Sequence, residues 1–163
     1  MADRIPMTPR GQRKLRDELK RLREVERPKN VQDIEIARGH GDLSENAEYH
    51  AAKERQSFLE GRIRELEGTI ALSEVIDPAK LSGSRIVFGA TVRLADADSG
   101  EEVVYRIVGD HEGDIKAGRI AISAPLARAL IGREQGDTVS LRTGKGPREY
   151  QVQEVTFLPL DEA

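Results

Sequence analysis

The fold of this chain is decided by a short stretch, Gly41-Asp42-Leu43-Ser44-Glu45-Asn46, which separates two long segments of similar pattern. In each segment the candidate packing positions recur at alternating steps of three and four, as in the seam of a coiled coil. These positions are Leu15, Leu19, Leu22, Glu26, Lys29, Asp33 and Ile36 in the first segment, and Tyr49, Ala52, Gln56, Leu59, Ile63, Leu66 and Ile70 in the second. Paired antiparallel, the two series are symmetric about residues 42 and 43. The sequence therefore predicts a helical hairpin whose turn carries two acids, Asp42 and Glu45.

The limits of the two helices follow from capping signals. Thr8 is suited to the N-cap and Pro9 to the first helical position, so the first helix is expected to begin there and to run to about residue 37. Pro28 lacks a backbone N–H and should bend this helix. The second helix is expected to start near Asp42 or Ser44 and to end near residue 72. At 1.5 Å per residue each arm spans about 40 Å, more than a domain of this size needs for its own stability.

The second half of the chain has the two-residue period of β-strands. Turn signals rich in Gly, Asp and Pro separate the apolar segments, and Pro125 stands near the start of a short amphipathic helix at 124–131. The predicted strands are 86–94, 102–108, 119–123, 138–142 and 148–157. The fold class is therefore α+β, with an antiparallel coiled-coil hairpin at 1–76, a linker at 77–83 and a globular domain at 84–163.

Composition excludes several classes of protein. The 163 residues carry a net charge of −3, which gives no general attraction to nucleic acid. Cysteine is absent, which excludes disulfides and thiol catalysis and favours a reducing cytoplasm. No apolar stretch approaches the roughly 18 residues of a membrane span, and no signal peptide is recognisable. We expect a soluble cytoplasmic protein with no membrane association.

The two acids at the turn have a structural and a functional interpretation. An acid followed three residues later by Glu resembles a helix capping box, and the helix dipole favours both charges. Two exposed carboxylates on a projecting turn are also suited to Mg²⁺, which commonly takes one or two protein carboxylates and completes its shell with water or phosphate. Two acids alone would hold the ion weakly. They would matter if they entered a site that already contains a metal and a phosphate chain.

Other candidate residues lie near the turn. Arg38, Lys53 and Arg55 are positioned to contact a nucleic-acid backbone, although a solvated face balanced by neighbouring acids explains them equally well. His40 and His50 flank the turn, and two exposed histidines without a third ligand are usually incidental. No Ser/His/Asp or Cys/His set suggests nucleophilic catalysis.

From Gly41 to Ala52 the sequence resembles the GreA/GreB family of bacterial transcript cleavage factors. The likeness covers nearly the whole chain and includes four further stretches in the expected order: Ile5-Pro6-Met7-Thr8, Val87-Phe88-Gly89-Ala90-Thr91-Val92, Tyr105-Arg106-Ile107-Val108-Gly109 and 123–132. It implies a coiled-coil finger followed by an FKBP-like domain. It also favours the functional interpretation of the acids over the capping box.

The resemblance implies a set of partners and roles. The globular domain would dock at the rim of the secondary channel of bacterial RNA polymerase, and the finger would reach the active centre through that channel. Asp42 and Glu45 would help to hold a Mg²⁺ ion shared with the polymerase, which then hydrolyses the 3′ end of a backtracked nascent RNA. Lys53, Arg55 and Arg38 match the basic positions that guide the RNA. Many relatives have Lys or Arg between the two acids where this chain has Ser44, which predicts a weaker RNA contact.

Three functions are compared from the sequence. The first is an accessory factor, not itself an enzyme, that activates cleavage by the polymerase. The second is a secondary-channel regulator that inhibits without cleavage, and such a protein has no need of metal ligands at the turn. The third is a prolyl isomerase or chaperone, which would require an aromatic-lined pocket from the few aromatic residues of the second half. A closed hairpin seam also favours a monomer.

Overall fold

The computed structural model describes residues 3–42 and 45–159. Two compact units are distinguished by their internal contacts. The first consists chiefly of Gln12–Ser73, and the second joins Arg4–Gly11 to the chain from Glu74 onward. The predicted α+β fold, with a helical hairpin followed by a β domain, is confirmed.

The hairpin has a composite first arm and a continuous second arm. The first arm comprises α1 (Pro9–Arg21), a π-helical turn (Leu22–Glu26) and α2 (Arg27–Arg38), and the second arm is α3 (Ala47–Leu72). The predicted start of the first helix is confirmed, because α1 begins at Pro9 and the Thr8 hydroxyl accepts a hydrogen bond from the Gly11 N–H at 3.1 Å. Among the described residues, no helix is both long and apolar enough to cross a membrane.

The π turn changes the packing face of the first arm. The Arg27 N–H bonds to the Leu22 carbonyl, five residues back, and Pro28 follows directly without an N–H of its own. One extra residue is absorbed in this turn, so every later packing position moves by one. The heptad prediction is therefore wrong beyond Glu26: the buried positions are Asn30, Ile34 and Ala37, and the predicted Lys29, Asp33 and Ile36 are exposed.

The second arm packs as the heptad predicts. Its buried side chains are Ala52, Leu59, Ile63 and Leu66. The one buried polar side chain described in α2 is Asn30, which is 2% exposed and donates from Nδ2 to the Ala52 carbonyl at 3.0 Å. Such a bond is satisfied in only one alignment of the two arms, so it helps to fix their register.

Ion pairs link the two arms along their flanks. Arg27 contacts Glu60 through two bonds of 2.8 Å, and Arg62 contacts Glu18 through two bonds of 2.9 Å. The side-chain bonds from arginine lower the pKa of both Glu60 and Glu18. Because these groups are largely solvated, each pair contributes little to the stability of the hairpin. The apolar seam is thus the main source of hairpin stability.

The second unit contains five strands and a short helix: β3 (Thr91–Asp96), β4 (Glu102–Val108), β5 (Arg119–Ala121), α4 (Pro125–Leu130), β6 (Thr138–Thr143) and β7 (Gly146–Thr156). The strands form a sheet of order β5-β4-β3-β7-β6, in which only the β4–β5 pair is parallel. The core lies between this sheet and α4, whose Ala127 and Leu130 are fully buried. A separate two-stranded sheet pairs β1 (Ile5–Met7) with β2 (Ser73–Val75).

The predicted strands are confirmed with small shifts at their ends. The largest difference is at β3, which begins at Thr91 and not at residue 86. Gly89 interrupts the extended run with a φ of +89°, a conformation that β-branched residues avoid. In the predicted linker, Pro78–Lys80 forms a short 3-10 turn capped by the Asp77 carboxylate.

Candidate functional site at the hairpin turn

The turn begins at the C-terminal end of α2. The Gly39 N–H bonds to the Ile36 carbonyl and the His40 N–H to the Ala37 carbonyl, both at 3.1 Å. Gly41 then adopts a φ of +110°, which directs the chain away from the helix axis and which a residue with a Cβ would strain to adopt. Asp42 follows directly and is exposed.

The second arm is capped by Asn46, not by Asp42 or Ser44 as the sequence suggested. The Asn46 Oδ1 accepts from the Tyr49 N–H at 3.0 Å, and its Nδ2 donates to the Ala37 carbonyl at 2.7 Å. An amide can do both, whereas a carboxylate only accepts. The helix α3 therefore starts at Ala47, with Asn46 as its N-cap, and not near Asp42 as the sequence predicted.

The two acids present oxygen atoms to solvent. Asp42 and Glu45 are both exposed, and the two residues between them lie outside the described part of the chain. Carboxylate oxygens are the ligands that Mg²⁺ prefers, so the donor set fits this ion. Within residues 3–42 and 45–159 no cluster of three or more ligand side chains could hold a metal.

The three predicted cations differ in how they are held. The Arg38 guanidinium lies 5.9 Å from the centre of the Tyr49 ring, close to the turn. Lys53 is exposed and donates to the Gln56 side chain at 2.9 Å. Arg55 contacts Glu26 on the first arm at 2.6 Å, and Arg21 approaches the same carboxylate at 3.4 Å, so the charge of Arg55 is balanced in part. Arg38 and Lys53 therefore have more of their charge available to an external anion.

The histidines beside the turn make local contacts. The His40 Nε2 lies 3.7 Å from the Glu48 carboxylate, and the His50 ring packs edge-on against Tyr49 at 5.7 Å. Both histidines are exposed. The His40 contact connects the end of the first arm to α3, whereas the His50 contact lies within α3.

The aromatic residues of the β domain belong to its core. Phe88 is 7% exposed, and Tyr105, Tyr150 and Phe157 pack against the buried cluster. Their rings therefore help to stabilise the sheet.

Comparison with known proteins assigns both halves of the chain. Residues 5–75 match the family model for the N-terminal part of a transcription elongation factor, and residues 81–157 match the model for the C-terminal part of GreA/GreB. Transcription elongation factor GreA of Anaeromyxobacter sp. (strain K) is 59% identical over 95% of this chain and 93% of its own. GreA of Xylella fastidiosa (strain M23) is 58% identical over 95% of this chain and 99% of its own.

Solved structures give a weaker likeness. A GreA factor homolog of Thermus thermophilus aligns with 93% of this chain and 98% of its own at 28% identity and a TM-score of 0.42. A GreA/GreB factor from Nitrosomonas europaea aligns with 64% of this chain and 93% of its own at 29% identity and a TM-score of 0.43.

Proposed function

Because the chain belongs to the GreA/GreB family of transcription elongation factors, which work with RNA polymerase, we propose that it stimulates the polymerase to cleave backtracked nascent RNA. The observation that carries the proposal is the exposure of the two acids at the turn. Asp42 and Glu45 are both exposed at the end of an arm about 40 Å long, and the N-cap of the second arm is a different residue, Asn46. The protein contributes two ligands, and the polymerase contributes the rest of the site.

The geometry suits delivery through a narrow passage. A two-helix hairpin is slender, and the secondary channel of the polymerase is the route by which such an arm would reach the active centre. The globular unit would dock at the channel rim, outside the catalytic centre. The chain would act as an accessory factor and not as an enzyme, because its own residues supply an incomplete set of metal ligands.

The residues of the turn have separate roles in this mechanism. The carboxylates of Asp42 and Glu45 would help to hold a Mg²⁺ ion by adding oxygen ligands. The ion would supply the activation of a water molecule and the stabilisation of charge on the phosphate. Arg38 and Lys53, and Arg55 after it leaves Glu26, would attract the phosphates of the extruded RNA. Neutralising the RNA backbone in this way would favour a productive position of the 3′ end.

The test is RNA cleavage in a stalled, backtracked elongation complex with Mg²⁺. Wild type should release short 3′ fragments rapidly, whereas the Asp42→Asn/Glu45→Gln double variant should bind the polymerase equally well and fail to stimulate cleavage. Glu54→Gln is a matched control, because Glu54 is an exposed acid further along α3. Wild-type cleavage by the double variant would refute the role of the two acids.

The second candidate function is inhibition of the polymerase through the same channel. The two exposed carboxylates disfavour it, because blocking the channel needs bulk and not metal ligands. The same assay separates the two functions. An inhibitor would bind the stalled complex and reduce RNA extension, with no 3′ fragments released by either wild type or the double variant.

A further inference from the structure

We infer that Asn46 is the positioning residue of the turn, and that its side chain holds Asp42 and Glu45 in the arrangement that cleavage requires. This inference rests on the proposed function and names how the two ligands are kept in place. The evidence is the pair of bonds that one amide makes, to the Ala37 carbonyl at 2.7 Å and from the Tyr49 N–H at 3.0 Å.

The bridge joins the last turn of α2 to the first turn of α3. The eight residues from 38 to 45 lie between its two ends, and both acids are among them. Glu45 is also the covalent neighbour of Asn46, so any rotation of the Asn46 backbone moves the Glu45 side chain. The bridge thus sets the distance that the turn must span and the direction in which the chain enters α3.

A second contact braces the same two helix ends. The Arg38 guanidinium, at the end of α2, lies over the ring of Tyr49, whose own N–H is the donor to the Asn46 cap. The cap orients Tyr49 through its backbone, and Tyr49 in turn provides a surface for Arg38. A loss of the Asn46 bridge is therefore expected to loosen both sides of the turn.

The residue type matters because the bridge needs a donor and an acceptor together. Serine and aspartate are also good N-caps and would keep the bond from the Tyr49 N–H. Aspartate has no donor, and a serine hydroxyl, although it can donate, is one bond shorter than the asparagine amide and would have to serve both partners from a single oxygen atom. In the Asn46→Asp variant a carboxylate oxygen would face this carbonyl, and the repulsion would open the bridge. These two substitutions therefore remove the bridge and retain the cap.

Amide hydrogen exchange and cleavage kinetics together test the role. In Asn46→Ser and Asn46→Asp we expect the Tyr49 amide to remain protected while the His40 and Gly41 amides exchange about tenfold faster, as in local opening. The maximal rate of stimulated cleavage should fall about tenfold to a hundredfold at unchanged affinity for the polymerase, because small misplacements of reacting groups have effects of this size. Ala47→Ser, at an exposed neighbouring position, should match wild type in both measurements.

The outcomes separate this inference from the function on which it rests. Unchanged exchange at His40 and Gly41, or cleavage at the wild-type rate in both variants, would overturn the role of Asn46 and leave the proposed function intact. A defect in Asn46→Asp alone would assign the effect to its added charge and would also overturn the role. Failure of wild type to stimulate cleavage would refute the proposed function and the catalytic part of this inference. The exchange data would still decide whether Asn46 holds the turn.

Discussion

The packing face of α2 gives the sharpest test of the structure, because two isoleucines two residues apart lie in opposite environments. Ile34 is 6% exposed and Ile36 is 57% exposed. The uninterrupted heptad predicts the reverse, with Ile36 in the seam. Replacing each residue by alanine therefore tests whether the π turn shifts the register. The two variants are matched, because the same change of residue type is made on the same helix.

The magnitudes follow from burial. Truncating a buried Ile to Ala typically costs 2–5 kcal/mol, and we expect about 2 kcal/mol for Ile34→Ala because a two-helix seam can partly collapse around the gap. At Ile36 the lost contact is small, and alanine is the better helix former by a few tenths of a kcal/mol. The expected effect there is within about 0.5 kcal/mol of zero. The difference corresponds to roughly a thirtyfold change in the opening equilibrium of the hairpin.

Residue-resolved hydrogen exchange is the appropriate assay, since a chain with two units need not unfold in one step. Amides of α2 and of the facing part of α3 should exchange about thirtyfold faster in Ile34→Ala and at nearly the wild-type rate in Ile36→Ala. Amides of β3 and β7 serve as an internal control and should not change. Equal effects at the two positions, or a larger effect at Ile36, would refute the shifted register.

Three further predictions concern charge. Asn30→Asp places a carboxyl in the seam, where burial raises its pKa. The free energy of unfolding of the hairpin should fall by roughly 2–3 kcal/mol near pH 7 and recover as the pH falls towards 4. A pH-independent loss in denaturant titrations would contradict this. Backbone N–H bonds lower the pKa of Asp96. Its contribution to the stability of the β domain is therefore complete above its ordinary pKa and is lost as the pH falls through the lowered value. Asp96→Asn should flatten the acid limb of a plot of melting temperature against pH, and an unchanged limb would exclude Asp96 as the origin of the acid sensitivity. Lys53→Gln should weaken stimulated cleavage more than Arg55→Gln, because Glu26 already balances Arg55; the opposite order in the stalled-complex assay would show that this ion pair opens on the polymerase.

Patterns with a single physical cause were predictable from the sequence. Thr8 and Pro9 mark the start of α1 because one supplies a cap and the other needs no N–H donor. Strand β4 has the predicted limits, 102–108, because its first four residues alternate between exposed and half-buried positions and turn signals bound the apolar segment. The position of the acids at the hairpin turn followed from the symmetry of the two arms.

The errors arose where two signals competed. Pro28 indicated a disturbance of the first arm, but a bend and a π turn relieve the missing N–H in different ways, and only the π turn shifts the seam from Lys29 to Asn30. At the turn, Asp42 and Ser44 are as suitable for an N-cap as Asn46. What selects Asn46 is the Ala37 carbonyl, a partner supplied by the other arm and therefore absent from any local pattern. A signal was present, since Asn46 is a good capping residue directly before Ala47.

Because of the π turn, the length of the first arm does not depend strictly on the number of residues in it. Within Leu22–Glu26 one residue is surplus to an α-helical path, and Val25, which is 56% exposed, is the natural choice for removal. Its deletion, together with a replacement of Pro28, which an α turn would not accommodate, would convert the π turn into an α turn while Leu22, Ile34 and Ala37 kept their places against α3. Such a deletion should leave the distance between the base of the hairpin and its acids nearly unchanged. The same length change anywhere in α3 would rotate one face of that helix out of the seam, so alignments of related sequences should place their gaps in the first arm.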